Sequence, residues 1–156
     1  MALETKADLN KNTIEGLEQL VQMNIDSADG FDYAAKNINS GVLKVAFKEI
    51  GQQRREQADE LATYLTINDE TVNRSGSYAA ALHRCWMKCR ELMTSNDAHA
   101  VVAEAERGED QIKEAYEEIL RQTAGSAVND ILTRQYASVK ATHDQIRDLR
   151  DSLADD

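Results

Sequence analysis

Polar side chains that interrupt apolar stripes are the residues of this sequence best placed to do chemistry. They fall near the middle of four predicted helices, where an antiparallel bundle would bring them to one level. These residues are Asn24, Arg54, Gln57, Glu106, Glu109, Gln135 and His143. Burying such groups is costly unless they hydrogen-bond or bind an ion. We therefore expect a buried polar layer of Asn24, Arg54, Gln57 and Gln135, in which Arg54 pairs with Glu106 or Glu109.

Metal binding is the chemistry that such a layer could perform. Di-iron helical bundles supply one Glu from each of two helices and a Glu-x-x-His motif from each of the other two. That motif is absent here, because His83, His99 and His143 have Ala80, Asn96 and Lys140 three positions before them. Arg54 would also place a cation where a dinuclear site needs anions. An incomplete iron or manganese site would use Glu56, Glu106, Glu109 and His143, but the sequence favours a polar layer without a cofactor.

The two cysteines are a weaker candidate for chemistry. Cys85 and Cys89 are four residues apart on a predicted helix, without the two-residue spacing of a redox or zinc motif. We expect reduced thiols that pack as small apolar side chains. We also find no glycine-rich phosphate loop and no combination of nucleophile, base and orienting group, so the sequence indicates no enzyme class.

Composition limits the environment and the partners of the protein. The 156 residues carry 28 acidic and 18 basic side chains, a formal net charge of −10, which disfavours binding to nucleic acid or to an anionic membrane surface. No window approaches the roughly 18–20 apolar residues that a membrane span needs, and no signal peptide is evident. We expect a cytoplasmic protein that is a single domain over residues 1–156.

Five helices are expected, because the chain contains no proline to interrupt them. Apolar residues spaced by three and four place them at about 7–37, 41–66, 78–94, 98–122 and 127–153. The proposed N-terminal signals are Thr5 with Asp8 for the first helix, Ser40 for the second and Asp97 for the fourth. Gly125 marks a tight turn before the last helix.

The lengths of the connections predict the architecture. Short turns make the first two helices one antiparallel hairpin and the last two another. A crossover at about 67–97, containing the shorter helix, joins them as in ferritin-like four-helix bundles. We expect Tyr78, Leu82 and Trp86 to pack the crossover helix onto the bundle. Close packing is also expected at glycines inside the predicted helices, which are Gly16, Gly30, Gly51 and Gly108.

Three segments of the chain resemble a known family. They are 81–86 (ALHRCW), 106–110 (ERGED) and 143–151 (HDQIRDLRD). The family consists of bacterial ferritin-like four-helix-bundle proteins that form a domain of unknown function. The resemblance implies the bundle fold, a bacterial source and a distant relation to ferritins and rubrerythrins. Its metal residues match only at Glu106 or Glu109, and Ala28 stands where similar members carry an acidic residue.

Two functions follow as hypotheses from the sequence. The first is a non-enzymatic bundle that forms a homo-oligomer or binds another protein, since no catalytic constellation is present. The alternative is a ferritin-like metalloprotein with a degenerate site for iron or manganese. A small-molecule pocket among Asn24, Arg54, Glu109 and Gln135 is a third possibility.

Overall fold

All the secondary-structure elements of the described residues are α-helices. The computed structural model describes residues 4–72 and 80–154, with the side chain of Ala154 excepted. The five helices are α1 (Lys11–Asn37), α2 (Gly41–Ile67), α3 (Ala80–Met93), α4 (Ala98–Gln122) and α5 (Asn129–Ala154). The predicted all-α class is therefore confirmed over these ranges. In this part of the chain no helix is long and apolar enough to cross a membrane.

The start of α1 differs from the prediction. The backbone groups of Thr5 and Asp8 bond to each other, with N–O distances of 3.2 and 3.0 Å, so the two residues close a turn. The helix instead begins at Lys11, after Asn10 as its N-cap. The expected capping box at Thr5 and Asp8 was wrong, because a local backbone turn uses the same groups.

Three other sequence signals mark helix ends as predicted. Ser40 Oγ accepts a hydrogen bond from the Leu43 amide at 3.3 Å, and Asp97 Oδ1 accepts one from the Ala100 amide at 3.1 Å. Gly125 has φ of +80°, a conformation that is easy for glycine. These caps begin α2 and α4 at the expected positions. The predicted start of the crossover helix at Tyr78 lies outside the described residues.

Contacts at the two ends of the molecule define the path of the chain. At one end, Asn39 in the α1–α2 turn donates to Asn96 in the α3–α4 turn at 3.0 Å. At the other end, the side chain of Asn68, which follows α2, donates to the carbonyl of Lys6 and accepts from the amide of Leu9. The connection from α2 to α4 therefore runs from one end of the molecule to the other, and α3 lies within it.

Trp86 fixes α3 against the rest of the molecule. Its ring meets Phe31 edge-on at 4.6 Å between centroids and covers Gly30 of α1 and Gly108 of α4. A Cβ atom added at Gly30 would come within 2.1 Å of Trp86 Cδ2, so only glycine leaves room for the ring there. Leu82 is fully buried. The predicted packing role of Leu82 and Trp86 is confirmed, and Tyr78 is outside the described ranges.

Candidate functional site

A buried ion pair between Arg54 on α2 and Glu109 on α4 lies at the centre of the structure. Both side chains have no exposed surface. Arg54 Nη2 donates to Glu109 Oε2 and also to Thr142 Oγ1 at 2.7 Å on α5. Arg54 Nη1 lies 3.5 Å from Gln57 Oε1, one turn further along α2. Of the two acidic partners expected for Arg54, the structure therefore selects Glu109.

A second chain of hydrogen bonds starts on α1 and reaches α2 through α4 and α5. Asn24 Nδ2 donates to the hydroxyl of Tyr116 at 2.9 Å, and this hydroxyl donates to Gln135 Oε1 at 2.7 Å. Gln135 Nε2 in turn donates to the carbonyl of Gln57 at 3.3 Å. The four helices α1, α2, α4 and α5 thus each contribute side chains to one polar network. We call it the mid-height network, formed by Asn24, Arg54, Gln57, Glu109, Tyr116, Gln135 and Thr142.

Two members of the mid-height network were missed by sequence reasoning. Tyr116 and Thr142 occupy positions in the apolar stripes of α4 and α5, so the helical periodicity assigned them to the apolar core. Both are buried, and each carries a hydroxyl that needs a partner. A polar atom on an otherwise apolar position was the only signal in the sequence that could have identified them.

The electrostatics of the mid-height network favour fixed charges rather than proton transfer. Burial raises the pKa of the Tyr116 phenol, so it remains a neutral O–H donor at physiological pH. At the edge of the network, the hydrogen bond from Arg134 lowers the pKa of Glu60, which also accepts from Gln135 at 2.7 Å. The buried positive charge of Arg54 faces the negative charge of Glu109. The network is therefore close to neutral and holds its hydrogen bonds in one pattern.

The sequence also predicted Glu56 as a metal ligand on α2. Glu56 is exposed on the outer side of this helix, where its carboxylate accepts from Gln52 at 3.4 Å. Glu109 has no exposed side-chain surface and is bonded to Arg54. The carboxylate of Glu56 therefore lies in solvent, whereas that of Glu109 lies in the interior.

The other two predicted ligands have partners of their own. Glu106 forms an ion pair with Arg150 of α5. His143 Nε2 lies 2.6 Å from Asp110 Oδ1, and His143 Nδ1 lies 3.2 Å from Asp144 Oδ1. Within the described ranges, no group of three or more His, Cys, Asp or Glu side chains is arranged to hold a metal ion.

Both cysteines carry free thiols. Cys89 is buried, and its Sγ lies 3.6 Å from the carbonyl oxygen of Val101. Burial raises the pKa of Cys89 strongly, and burial together with the nearby Glu104 carboxylate raises that of Cys85. The reactive thiolate form of both is therefore disfavoured at neutral pH.

A polar groove of about 410 Å³ reaches the mid-height network from the side of α2 and α5. It is lined by Gln53, Glu56, Gln57, Glu60, Arg134, Gln135 and Ser138. Ser138 Oγ donates to Gln53 Oε1 at 3.2 Å, and Arg134 bonds Glu60 at 2.7 Å, so side chains of the two helices already pair across it.

The outer face of α2 exposes large apolar side chains. Val42 is 71% exposed, Val45 59% and Ile67 49%, whereas Met87 on α3, the other large apolar residue that is exposed in the described ranges, is 44% exposed. At roughly 100° per residue the three α2 residues fall within about 60° of one another. We call this the α2 ridge, consisting of Val42, Val45, Glu49, Gln52, Glu56, Thr63 and Ile67.

Charged residues of both signs lie on and beside the α2 ridge. Lys44 and Lys48 lie near its beginning, and no carboxylate of the described residues is within ion-pair distance of either lysine. Glu56, Asp59 and Glu60 lie toward its end. Glu49 lies next to the lysines and the exposed Arg55 next to these carboxylates, so both halves of α2 carry charges of both signs.

One protein family matches this chain. The model of a domain of unknown function, DUF2383, covers residues 12–122, from the first turn of α1 to the end of α4. A search of curated proteins found no match.

Proposed function

The chain belongs to the DUF2383 family, whose function is unknown, and we propose that it is a non-enzymatic helical protein that acts by self-association. The observation that carries this proposal is the exposure of Val42 and Val45 on the α2 ridge. The two side chains are branched, apolar and one helical turn apart. Covering them is favourable because it removes apolar surface from water. A second copy of the chain is the partner that this surface fits.

The interior supports a structural role for the polar residues. The charged and polar side chains of the mid-height network bond to one another, as in Arg54 with Glu109 and Tyr116 with Gln135. Among the described residues, Asn24 Oδ1, Arg54 Nε and Glu109 Oε1 have no hydrogen-bond partner. A network of this kind contributes to a unique arrangement of the helices rather than to a reaction.

We further propose that the helices form a ferritin-like four-helix bundle within a single domain of residues 1–156. The contacts at both ends of the molecule and the long connection from α2 to α4 support it, because a single crossover has to span the bundle. A cytoplasmic location in a bacterium is part of the same proposal.

Self-association is tested by sedimentation equilibrium from about 1 µM to about 1 mM, the range of a weak dimer. We expect the average mass to rise toward twice the monomer mass. Replacing Val42 and Val45 together with glutamine should weaken the dimer about a hundredfold, since burying each valine contributes roughly 1.5 kcal/mol.

Met87→Gln is the matched control, because it removes an exposed apolar side chain from α3 instead of α2. We expect it to leave the dissociation constant unchanged. A wild-type protein that stays monomeric over the whole concentration range would refute the proposed function.

The alternative function is a ferritin-like metalloprotein with a degenerate iron or manganese site. It is favoured only by the acidic residues Glu106 and Glu109 inside the molecule, and each of these is paired with an arginine. Titration of chelator-free protein with Fe²⁺ and Mn²⁺, followed by metal analysis after gel filtration, should give far less than one ion per chain. Stoichiometric binding that is lost in Glu109→Gln would instead favour the metalloprotein.

A further inference from the structure

We propose that the mid-height network binds an internal water molecule, which accepts a hydrogen bond from Arg54 Nε and donates one to Glu109 Oε1. This site goes beyond the proposed function, because a bound water does not depend on whether the chain self-associates. The proposal rests on buried polar atoms that form no hydrogen bond with any of the described residues.

The ion pair of Arg54 and Glu109 uses only one oxygen of the carboxylate. Arg54 Nη2 donates to Glu109 Oε2, and Thr142 Oγ1 donates to the same oxygen at 3.0 Å. In the described part of the chain, Arg54 Nε and Glu109 Oε1 have no hydrogen-bond partner. Both atoms belong to planar groups that the Nη2–Oε2 bond joins, so they lie within a few ångströms of each other. A guanidinium and a carboxylate often form two parallel hydrogen bonds, whereas here a second donor and a second acceptor are left for another molecule.

Helix α1 brings further polar atoms without partners to the interior. Asn24 Oδ1 and Ser27 Oγ form no hydrogen bond within the described ranges, and both side chains are fully buried. They are three residues apart and therefore lie on one face of α1. Asn24 Nδ2 bonds the Tyr116 hydroxyl; burial raises the pKa of this phenol, and the bond from Asn24 and the charge of Arg54 lower it in part. Asn24 therefore lies in the same part of the interior as Arg54.

The chemistry of these atoms selects water as the bound molecule. It has to accept from the N–H group of Arg54 and donate to the carboxylate of Glu109. A metal cation cannot accept from an N–H group, ammonium has only donors, and chloride has no hydrogen to donate. Water does both, and its second hydrogen is available for Asn24 Oδ1. It is also small enough for an interior in which these three side chains have no exposed surface.

Bound water also has an energetic reason and an entrance. A buried donor or acceptor without a partner is unfavourable, and a hydrogen bond to water satisfies it nearly as well as one to protein. Gln57, whose Oε1 lies 3.5 Å from Arg54 Nη1, lines the polar groove between α2 and α5 together with Gln135. The groove therefore brings solvent to within one side chain of Arg54.

Nuclear Overhauser measurements on the wild-type protein test the site in solution. They use ¹⁵N-labelled protein at low temperature and mildly acidic pH, where guanidinium hydrogens exchange slowly. We expect the Arg54 Nε hydrogen to give cross-peaks with water that have opposite signs in NOE and ROE spectra, which is the signature of a held water. Hydrogen exchange gives equal signs, and so does mobile surface water. Arg55 is the matched control, because its Nε bonds Asp32 directly and its side chain is 49% exposed, so it should not show this signature.

A high-resolution crystal structure locates the molecule directly. We expect a density peak without anomalous signal, at about 2.7–3.2 Å from both Arg54 Nε and Glu109 Oε1. The double variant Arg54→Met with Glu109→Met removes the donor and the acceptor, so the peak should be lost. Arg55→Met, which changes only the exposed arginine, should retain it.

The proposal stands only if the wild-type protein gives both the density peak and the cross-peaks of opposite sign. A direct hydrogen bond between Arg54 Nε and Glu109 Oε1 overturns it. An anomalous peak also overturns it, because an ion would then occupy the site. These wild-type measurements decide the question even if the double variant does not fold, and none of their outcomes affects the sedimentation test of self-association.

Discussion

Replacing Arg54 with methionine should lower the free energy of unfolding by about 3–5 kcal/mol, the cost of breaking one side of a buried ion pair. The physical reason is that Glu109 has no exposed surface, so its carboxylate would be left without its counter-charge and without access to water. Urea denaturation followed by circular dichroism at pH 7 measures the change. This is among the largest effects expected of a single substitution in this protein.

The neighbouring residue offers a matched control. Arg55 also bonds two carboxylates, those of Asp29 and Asp32, but its side chain is 49% exposed. Arg55→Met should therefore change the free energy of unfolding by at most about 1 kcal/mol. The contrast between adjacent arginines isolates burial from charge pairing.

A double variant shows whether the loss comes from the unpaired carboxylate. In Arg54→Met with Glu109→Met, both charges are gone and two apolar side chains of similar length fill the space. Such replacements of buried ion pairs are often neutral or stabilising, so the double variant should be more stable than Arg54→Met alone. A double variant whose loss equals the sum of the two single losses would show that the two charges are not coupled.

Gly30→Ala should destabilise the protein by about 2–4 kcal/mol, even though alanine is the better helix former by about 1 kcal/mol. The new Cβ would lie 2.1 Å from Trp86 Cδ2, and a rigid indole ring cannot yield locally. Trp86 would have to leave its position between α1 and α4. Because it is the only tryptophan, its fluorescence should shift to longer wavelength in the folded variant.

Gly108→Ala is the control for this prediction, since Gly108 also lies next to the Trp86 ring. There the added Cβ comes no closer than 3.4 Å to Trp86 Nε1, an ordinary contact. The substitution should leave the fluorescence unchanged and stabilise the protein by up to about 1 kcal/mol through helix propensity. Equal effects of the two substitutions would mean that the packing of Trp86 against Gly30 is not what holds α3.

The two predictions concern different parts of the same architecture. The mid-height network orders the four long helices around a polar centre, and Trp86 holds α3 against α1 and α4. Neither involves the α2 ridge, so both sets of variants can be compared with the self-association experiments. If Gly30→Ala lowers the stability but leaves dimerisation unchanged, the packing of Trp86 is not needed for the dimer interface.

Local signals were sufficient for most helix ends. Ser40, Asp97 and Gly125 act through backbone groups within a few residues, so their effect can be predicted from a short stretch of sequence. The start of α1 was not predictable in this way, because Thr5 and Asp8 can serve either a cap or a turn. Which of the two forms depends on contacts such as that between Glu4 and the amide of Ala127, 123 residues away.

The mid-height residues show the limit of periodicity. Glu106 and Glu109 are one helical turn apart and both lie toward the interior, so spacing alone gave two partners for Arg54. The tertiary structure decides, because Arg150 of α5 reaches Glu106 and leaves Glu109 to Arg54. Tyr116 and Thr142 join the network only because neighbouring helices place acceptors beside their hydroxyls.

The sequence by itself determined that the described chain is helical and that charged groups must be satisfied inside it. Absence of proline, apolar spacing and local caps are enough for this, since they act within one helix. Only the tertiary structure decided which polar groups meet, and which apolar residues remain outside. Val42 and Val45 look like ordinary helix residues in the sequence. They became a candidate interface because α1 and α5 cover other faces of α2. Which residues of α2 remain exposed depends on how the helices pack, and the sequence of α2 alone does not give it.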